Sequence, residues 1–194
     1  MAEILRKLRA EHDNLEKVLD VLEQEVESGR KGARLNRDII RDVVDYCQSF
    51  PALCHHPKED LIYRRLRSVA EPSEIDAVGD VLAGHEALSA LTDAFEAAVD
   101  NLLSDAGANR GKFLRAAQTF LEQYRQHMNA EDDVLFPLAR ERLSDEDWAE
   151  IDRGVADLER SHPSGAIDQR FAFLSQAIAA HEALKTRLAR RTVW

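Results

Sequence analysis

The chain has little cysteine, glycine or proline: 2, 8 and 5 of 194 residues. Cys47 and Cys54 are seven apart on one predicted helix. At 1.5 Å rise per residue they are separated by about 10 Å, which excludes a disulfide between them; both read as small buried hydrophobes. With glycine and proline scarce and Ala, Leu, Glu, Asp and Arg dominant, the composition points to an all-helical protein. No run approaches the 18 or more apolar residues of a membrane span. The opening Met-Ala-Glu-Ile-Leu-Arg lacks the charged-then-apolar layout of a signal peptide, so the expected location is cytoplasmic. Cations are outnumbered, 26 Lys and Arg against 36 Asp and Glu, giving a net charge of −10. That balance excludes nucleic acid and anionic membrane as partners, since both require clustered cations. The only basic cluster, Lys185 to Arg191, reads as the solvated last turn of a helix.

What is present is amphipathic helix. Apolar residues recur at three- and four-residue steps in nearly every segment. A first helix near 2 to 28 carries Ile4, Leu8, His12, Leu15, Leu19, Leu22 and Val26 on one stripe. A second runs from Asn36 to about Val69, with a kink expected before Pro57, whose ring nitrogen cannot bond to the Leu53 carbonyl. Pro72-Ser73 opens a third, with Val78, Leu82, His85, Leu88, Phe95, Val99 and Leu102 on its stripe. After a loop from Asp105 to Gly111, a fourth carries Phe113, Ala117, Phe120, Tyr124, His127, Glu131, Leu135 and Leu138. The expected fold is all-α, an up-down-up-down antiparallel four-helix bundle over residues 1–141. Residues 142–194 read as a C-terminal helical extension packed on the bundle. A capping-box start at Ser144-Asp145-Glu146-Asp147 leads a short helix, and a last helix carries Leu174, Ile178, His181 and Leu184 after a break at Ser161 to Gly165.

Within this pattern four histidines and two glutamates form two copies of one motif, about 72 residues apart. The first copy is His12, then His55 and Glu59; the second is His85, then His127 and Glu131. The flanks repeat as well: His55 to Tyr63 reads H-x-x-x-E-D-L-I-Y, and His127 to Phe136 reads H-x-x-x-E-D-D-V-L-F. A single His-to-acid pair four residues apart carries little weight, because helices favour such pairs for surface reasons. The duplication, the inward phase of every member and the placing of one ligand cluster on each helix together point to a metal. A polar side chain on a buried stripe is costly unless it is paired or coordinates an ion, and imidazole with carboxylate suits a first-row transition metal. Two symmetric half-sites suggest a two-metal centre.

The rival pair, His56 with Asp60, shares positions with Tyr63 and Arg67 nearer the flank of the second helix, so His56 is expected outside the ligand set. Glu16 reads as a solvated salt-bridge partner and His162 as a loop residue. His181, on an inward stripe, is either a core histidine or a further ligand. Tyr63 and Tyr124, one turn from the ligands, either pack or donate a hydrogen bond.

The strings Glu11-His12-Asp13, His55-His56-Pro57-Lys58-Glu59-Asp60, Gly84-His85-Glu86 and His127-Met128-Asn129-Ala130-Glu131 make the chain resemble the hemerythrin family, specifically the hemerythrin-like HHE cation-binding domains, over roughly residues 1 to 141. The resemblance implies a four-helix bundle holding two iron ions, a non-haem di-iron centre bridged by oxo or hydroxo. It implies terminal imidazole ligands at His12, His55, His85 and His127, with Glu59 and Glu131 bridging. Oxygen-carrying hemerythrins have a fifth histidine four residues after the third-helix one. Here that position is Ser89, which puts a respiratory carrier role in doubt unless His181 or His56 fills the gap.

The leading expectation is therefore a di-iron protein that binds O2, peroxide or NO in sensing, storage or detoxification. The alternatives are a di-iron oxidase or peroxidase, catalase-like or ferroxidase-like, and an iron-controlled interaction module whose extension meets a protein partner or a second copy. The ligand types serve iron, manganese and zinc alike.

Overall fold

A computed structural model describes residues 3–104, 106–162, 174, 176–180 and 183. Among them there is no strand. The helices are α1 (Glu3–Arg30), α2 (Arg37–Phe50), α3 (His56–Val69), α4 (Pro72–Val78), α5 (Val81–Ser104), α6 (Ala106–Ala130), α7 (Phe136–Arg142) and α8 (Asp145–Ser161), with π-helical turns at Pro51–His55 and Glu131–Leu135. None of the described helices is long and apolar enough to cross a membrane.

Local chemistry accounts for most boundaries. After α1 the chain reverses through Gly32 at φ +83°, a left-handed conformation that costs glycine nothing. Asn36 caps α2 by accepting from the Ile39 N–H, while its own N–H donates to Glu25 at 2.8 Å. Ser144 and Asp147 form the expected capping box at the start of α8.

The kink expected near Pro57 is a π-turn joining α2 to α3: the His56 N–H bonds to the Pro51 carbonyl, five residues back. A second π-turn joins α6 to α7, closed by the Phe136 N–H on the Glu131 carbonyl. Each turn is followed by His56-Pro57 or Phe136-Pro137. A proline inside a helix clashes with the carbonyl four residues earlier; the wider turn relieves that clash without ending the helix. Both π-turns border the duplicated motif, where such bulges are often found in functional sites.

The third expected helix is broken. Gly79, at φ +79° and ψ −170°, separates α4 from α5, and its carbonyl accepts from the Tyr63 hydroxyl at 2.8 Å. This backbone region is essentially reserved to glycine. Gly79→Ala is expected to lower the unfolding free energy by about 1–3 kcal/mol, read as a shift in denaturant midpoint at constant m-value. The expected loop from Asp105 to Gly111 is also different, since α6 already begins at Ala106. Its first turns are held by remote carbonyls: Arg110 donates to Gly29 and Ala33, and the Asn109 amide to Asn101. Those partners are distant in sequence, so the segment read as a loop.

The buried apolar side chains fall into two clusters. One holds Leu15 to Val26 of α1, Ile40 to Cys54, Leu88 to Leu102 of α5 and Phe113 to Met128 of α6. The other holds Ile4 to Leu8, Ile62 to Leu66, Val81, Leu135 to Leu143, and Ile151 and Val155 of α8. α1 and α5 run from the second cluster into the first; α2–α3 and α6–α7 run the opposite way. At each crossing a polar residue interrupts the apolar stripe: His12 between Leu8 and Leu15, His55 and Glu59 between Cys54 and Ile62, His85 between Val81 and Leu88, and Glu131 between Met128 and Leu135. A polar layer is thus enclosed between two oily ones. α8 lies against α3, with Asp147 paired to Arg65 and Gly154 close to Leu61.

Candidate metal centre

All six residues of the duplicated motif meet in that layer. Glu59 is fully buried, and its Oε1 lies 3.3 Å from Nε2 of both His12 and His55. Its Oε2 lies 3.4 Å from His85 Nε2. Glu131 faces His127 at 3.0 Å, His85 at 3.2 Å and His12 at 3.5 Å. The two carboxylates therefore sit between four imidazoles from four separate helical segments. Buried and without any hydrogen-bond partner are His12 Nε2, both oxygens of Glu59, His127 Nε2 and Glu131 Oε2. Such groups are rare, because a buried polar atom without a partner forfeits its hydration. Five in one layer are what a cation-binding site requires, and the nitrogen and oxygen donors suit a first-row transition metal.

The outward nitrogens of three imidazoles are held by acids next to a motif residue in sequence. His12 Nδ1 donates to Asp132 at 3.1 Å, His55 Nδ1 to Glu11 at 2.9 Å, and His85 Nδ1 to Asp60 at 2.9 Å. The buried Lys58 ammonium takes the other oxygen of Glu11, and Arg9 binds Asp132. Each acid reaches across to the histidine of another helix, which fixes ring orientation and aims Nε2 inward. The sequence reading missed these roles, although Asp60 and Asp132 lie in the repeated E-D strings and Glu11 immediately precedes His12. Glu11→Gln, Asp60→Asn and Asp132→Asn are each expected to weaken metal binding by about 10–100-fold with helicity unchanged. Chelator competition measures this, and wild-type retention in all three would remove the orienting role.

Electrostatics follow from the enclosure. Burial alone would lower His55, but the Glu59 and Glu11 carboxylates outweigh it and hold the imidazole up to about 10. His85 is likewise pushed down by burial, yet its hydrogen bonds to Asp60 and Glu131, with the Glu59 carboxylate close by, carry it to about 11. Glu59 is opposed by burial and held well below the usual carboxylate range by His55, His12 and His85. His56 moves the other way: burial, and then the neighbouring His85, press it down to about 2, so it is neutral.

The placement of His56 differs from the one that helical phase predicts. Instead of lying on the flank with Asp60, it turns inward: its ring stacks on His85 at 4.0 Å between centroids and stands edge-on to His127 at 5.8 Å. Asp60 binds His85 and Arg64. Two overlapping sets of donor atoms could hold an ion, each within 4.8 Å: His12, His55 and Glu59, and His56, Glu59, His85 and His127. The helical phase assumed for the stripe does not survive the π-turn just before His55.

The other candidates lie elsewhere. Glu16 pairs with Arg125 at 2.8 Å. His162 is exposed at the end of α8. Tyr63 is taken up by Gly79, and Tyr124 is buried in the first cluster, its hydroxyl proton held well above the usual range by burial. Cys47 and Cys54 are both buried and not disulfide-bonded, and the Cys54 thiol donates to the His162 carbonyl at 3.6 Å. His181 and the Lys185 to Arg191 cluster lie outside the described residues.

An all-helical chain with imidazoles and carboxylates enclosed between two apolar layers defines a helical cation-binding protein. The family described as Hemerythrin HHE cation binding domain matches residues 3–139, and the chain belongs to it. No curated protein and no solved structure matches the chain.

Proposed function

We propose that the chain is an up-down-up-down four-helix bundle holding two iron ions between Glu59 and Glu131, with His12, His55, His85 and His127 as terminal ligands. In this reading it binds O2, peroxide or NO in sensing, storage or detoxification in the cytoplasm. The observation that carries it is the set of five buried, unpartnered donor atoms, all on four of these six residues. The opposite running of successive long segments between the two apolar clusters supports the bundle.

When bound, two irons would supply reversible one-electron redox chemistry and an affinity for small oxygen and nitrogen ligands. The chain's own residues set the conditions. Glu59 and Glu131 bring four carboxylate oxygen donors into a dry layer and offset the charge of the ions. Asp132, Glu11 and Asp60 hold three rings in place, and Phe136 stacks on His12 at 5.6 Å. The apolar clusters above and below exclude water. Of the C-terminal extension, α8 packs on α3, and the last helix expected after Gly165 falls largely outside the described residues.

A cavity of about 130 Å³ lined by His56, Ser89, Thr92, Tyr124 and Cys47 reaches the layer from one side. It gives a small molecule room to approach, and it favours a second reading in which the same centre turns over peroxide. The deciding experiment is metal content with an optical spectrum, before and after peroxide. Two irons per chain with near-ultraviolet iron bands are expected. A stable spectral adduct identifies the binder, whereas gas evolution with recovery of the starting spectrum identifies the enzyme. A colourless protein with zero or one metal overturns both readings.

A further inference from the structure

His56 belongs to neither copy of the duplicated motif as the sequence presents it. Its repeat counterpart, 72 residues on, is Met128, a thioether buried in the first apolar cluster. The two halves of the centre are thus unequal at this position: the second half supplies packing where the first supplies an imidazole.

The inequality begins in the backbone. The first π-turn ends at His55, immediately before the ligand turn, whereas the second begins at Glu131, after His127. In an α-helix adjacent residues point about 100° apart, since 3.6 residues complete a turn, and only one of them faces a given point. The wider π-turn brings the directions of residues 55 and 56 closer together, and both rings enter the layer, 5.7 Å apart. Unlike His12, His55 and His85, His56 has no carboxylate on either ring nitrogen; among the described residues nothing hydrogen-bonds to it. It is held by stacking on His85, with a donor atom grouped with those of Glu59, His85 and His127. Ser89, one turn beyond His85 on α5, lines the same cavity as His56 and leaves that side of the centre without a second ligand from α5.

We propose that His56 is a fifth imidazole ligand of the centre, binding the ion held by His85 and His127. Resting on the two-metal reading above, the inference makes the centre asymmetric. His12 and His55 serve one ion, His56, His85 and His127 serve the other, and Glu59 and Glu131 are common to both. The fifth histidine comes from the first residue of α3, just after the π-turn, instead of from α5.

The test is ferrous ion bound per chain, loaded without oxygen and then challenged with a chelator, in wild type, His56→Ala and the double variant His56→Ala with Ser89→His. Wild type is expected to retain two ions. His56→Ala should keep one and bind the second about 100-fold more weakly or worse, since losing even an orienting partner of a ligand costs 10–100-fold. Its helical circular dichroism should be unchanged. The double variant should regain the second ion, because position 89 faces the cavity that His56 vacates. If wild type and His56→Ala both retain two ions equally well, the assignment of His56 falls while the two-metal reading stands. If wild type itself holds fewer than two, that reading falls and takes the inference with it. Loss of both ions from His56→Ala without rescue by Ser89→His overturns the assignment to one ion, because a general packing defect would produce it.

Discussion

Glu59→Ala is expected to abolish two-metal binding, leaving at most one weakly held ion per chain, while His162→Ala retains the wild-type complement. Glu59 is the only residue common to both sets of donors, it is fully buried, and neither of its oxygens has a hydrogen-bond partner. Alanine removes two donor atoms and a negative charge that faces His12, His55 and His85. The same substitution has a signature in the metal-free protein. His55 is held up to about 10, with Glu59 the foremost cause that raises it, so its imidazole should titrate at lower pH in Glu59→Ala. Elemental analysis reads the first effect and NMR of the histidine ring the second. A Glu59→Ala protein that keeps two ions as firmly as wild type would move the centre away from this layer.

Proton competition should produce the second large effect. Metal binds neutral imidazole, yet without metal His55 and His85 keep their protons up to about 10 and about 11. Loading at pH 7 is therefore expected to release about two protons per chain from these residues, and the overall affinity for two ions should rise about 100-fold per pH unit between pH 7 and 9. For the metal-free protein the sign is the reverse. Both folded-state values lie above the ordinary imidazole value of 6.5, so the charged pairs contribute their full stability below about 6.5 and lose it as pH rises through 10 to 11. Metal-free protein should thus unfold at lower denaturant concentration at pH 10 than at pH 6.5, and metal should reverse the trend. Metal titration in weak buffer with a pH indicator measures the release. Uptake of two ions with no protons liberated would contradict the salt-bridged layer.

Much of this was legible in the residues. The spacing of His12, His55, Glu59, His85, His127 and Glu131 requires only helical periodicity and counting, and an imidazole or carboxylate on an apolar stripe demands a partner wherever the helix is placed. All six meet in the layer for that reason. Glu16 on the flank and the capping box at Ser144 were equally local: one depends on helical phase and the other on a hydrogen bond spanning three residues. What failed were three inferences that rested on an unbroken helix, a glycine-free stripe or partners nearby in sequence. Gly79 breaks the third helix through a positive φ that the flanking apolar stripe conceals. Residues 106–111 are helical with Arg110 anchored to the end of α1. His56 turns inward because the π-turn before it changes the angle between neighbours.

The sequence by itself determined the helical class, the two-fold repetition and the chemistry of the six side chains, since these follow from periodicity and residue type. Only the tertiary structure decided which acid holds which histidine, that Glu59 serves both donor sets, and that His56 joins them. Those outcomes depend on contacts between helices and on a one-residue widening of the backbone spiral. Neither leaves a periodic signal along the chain.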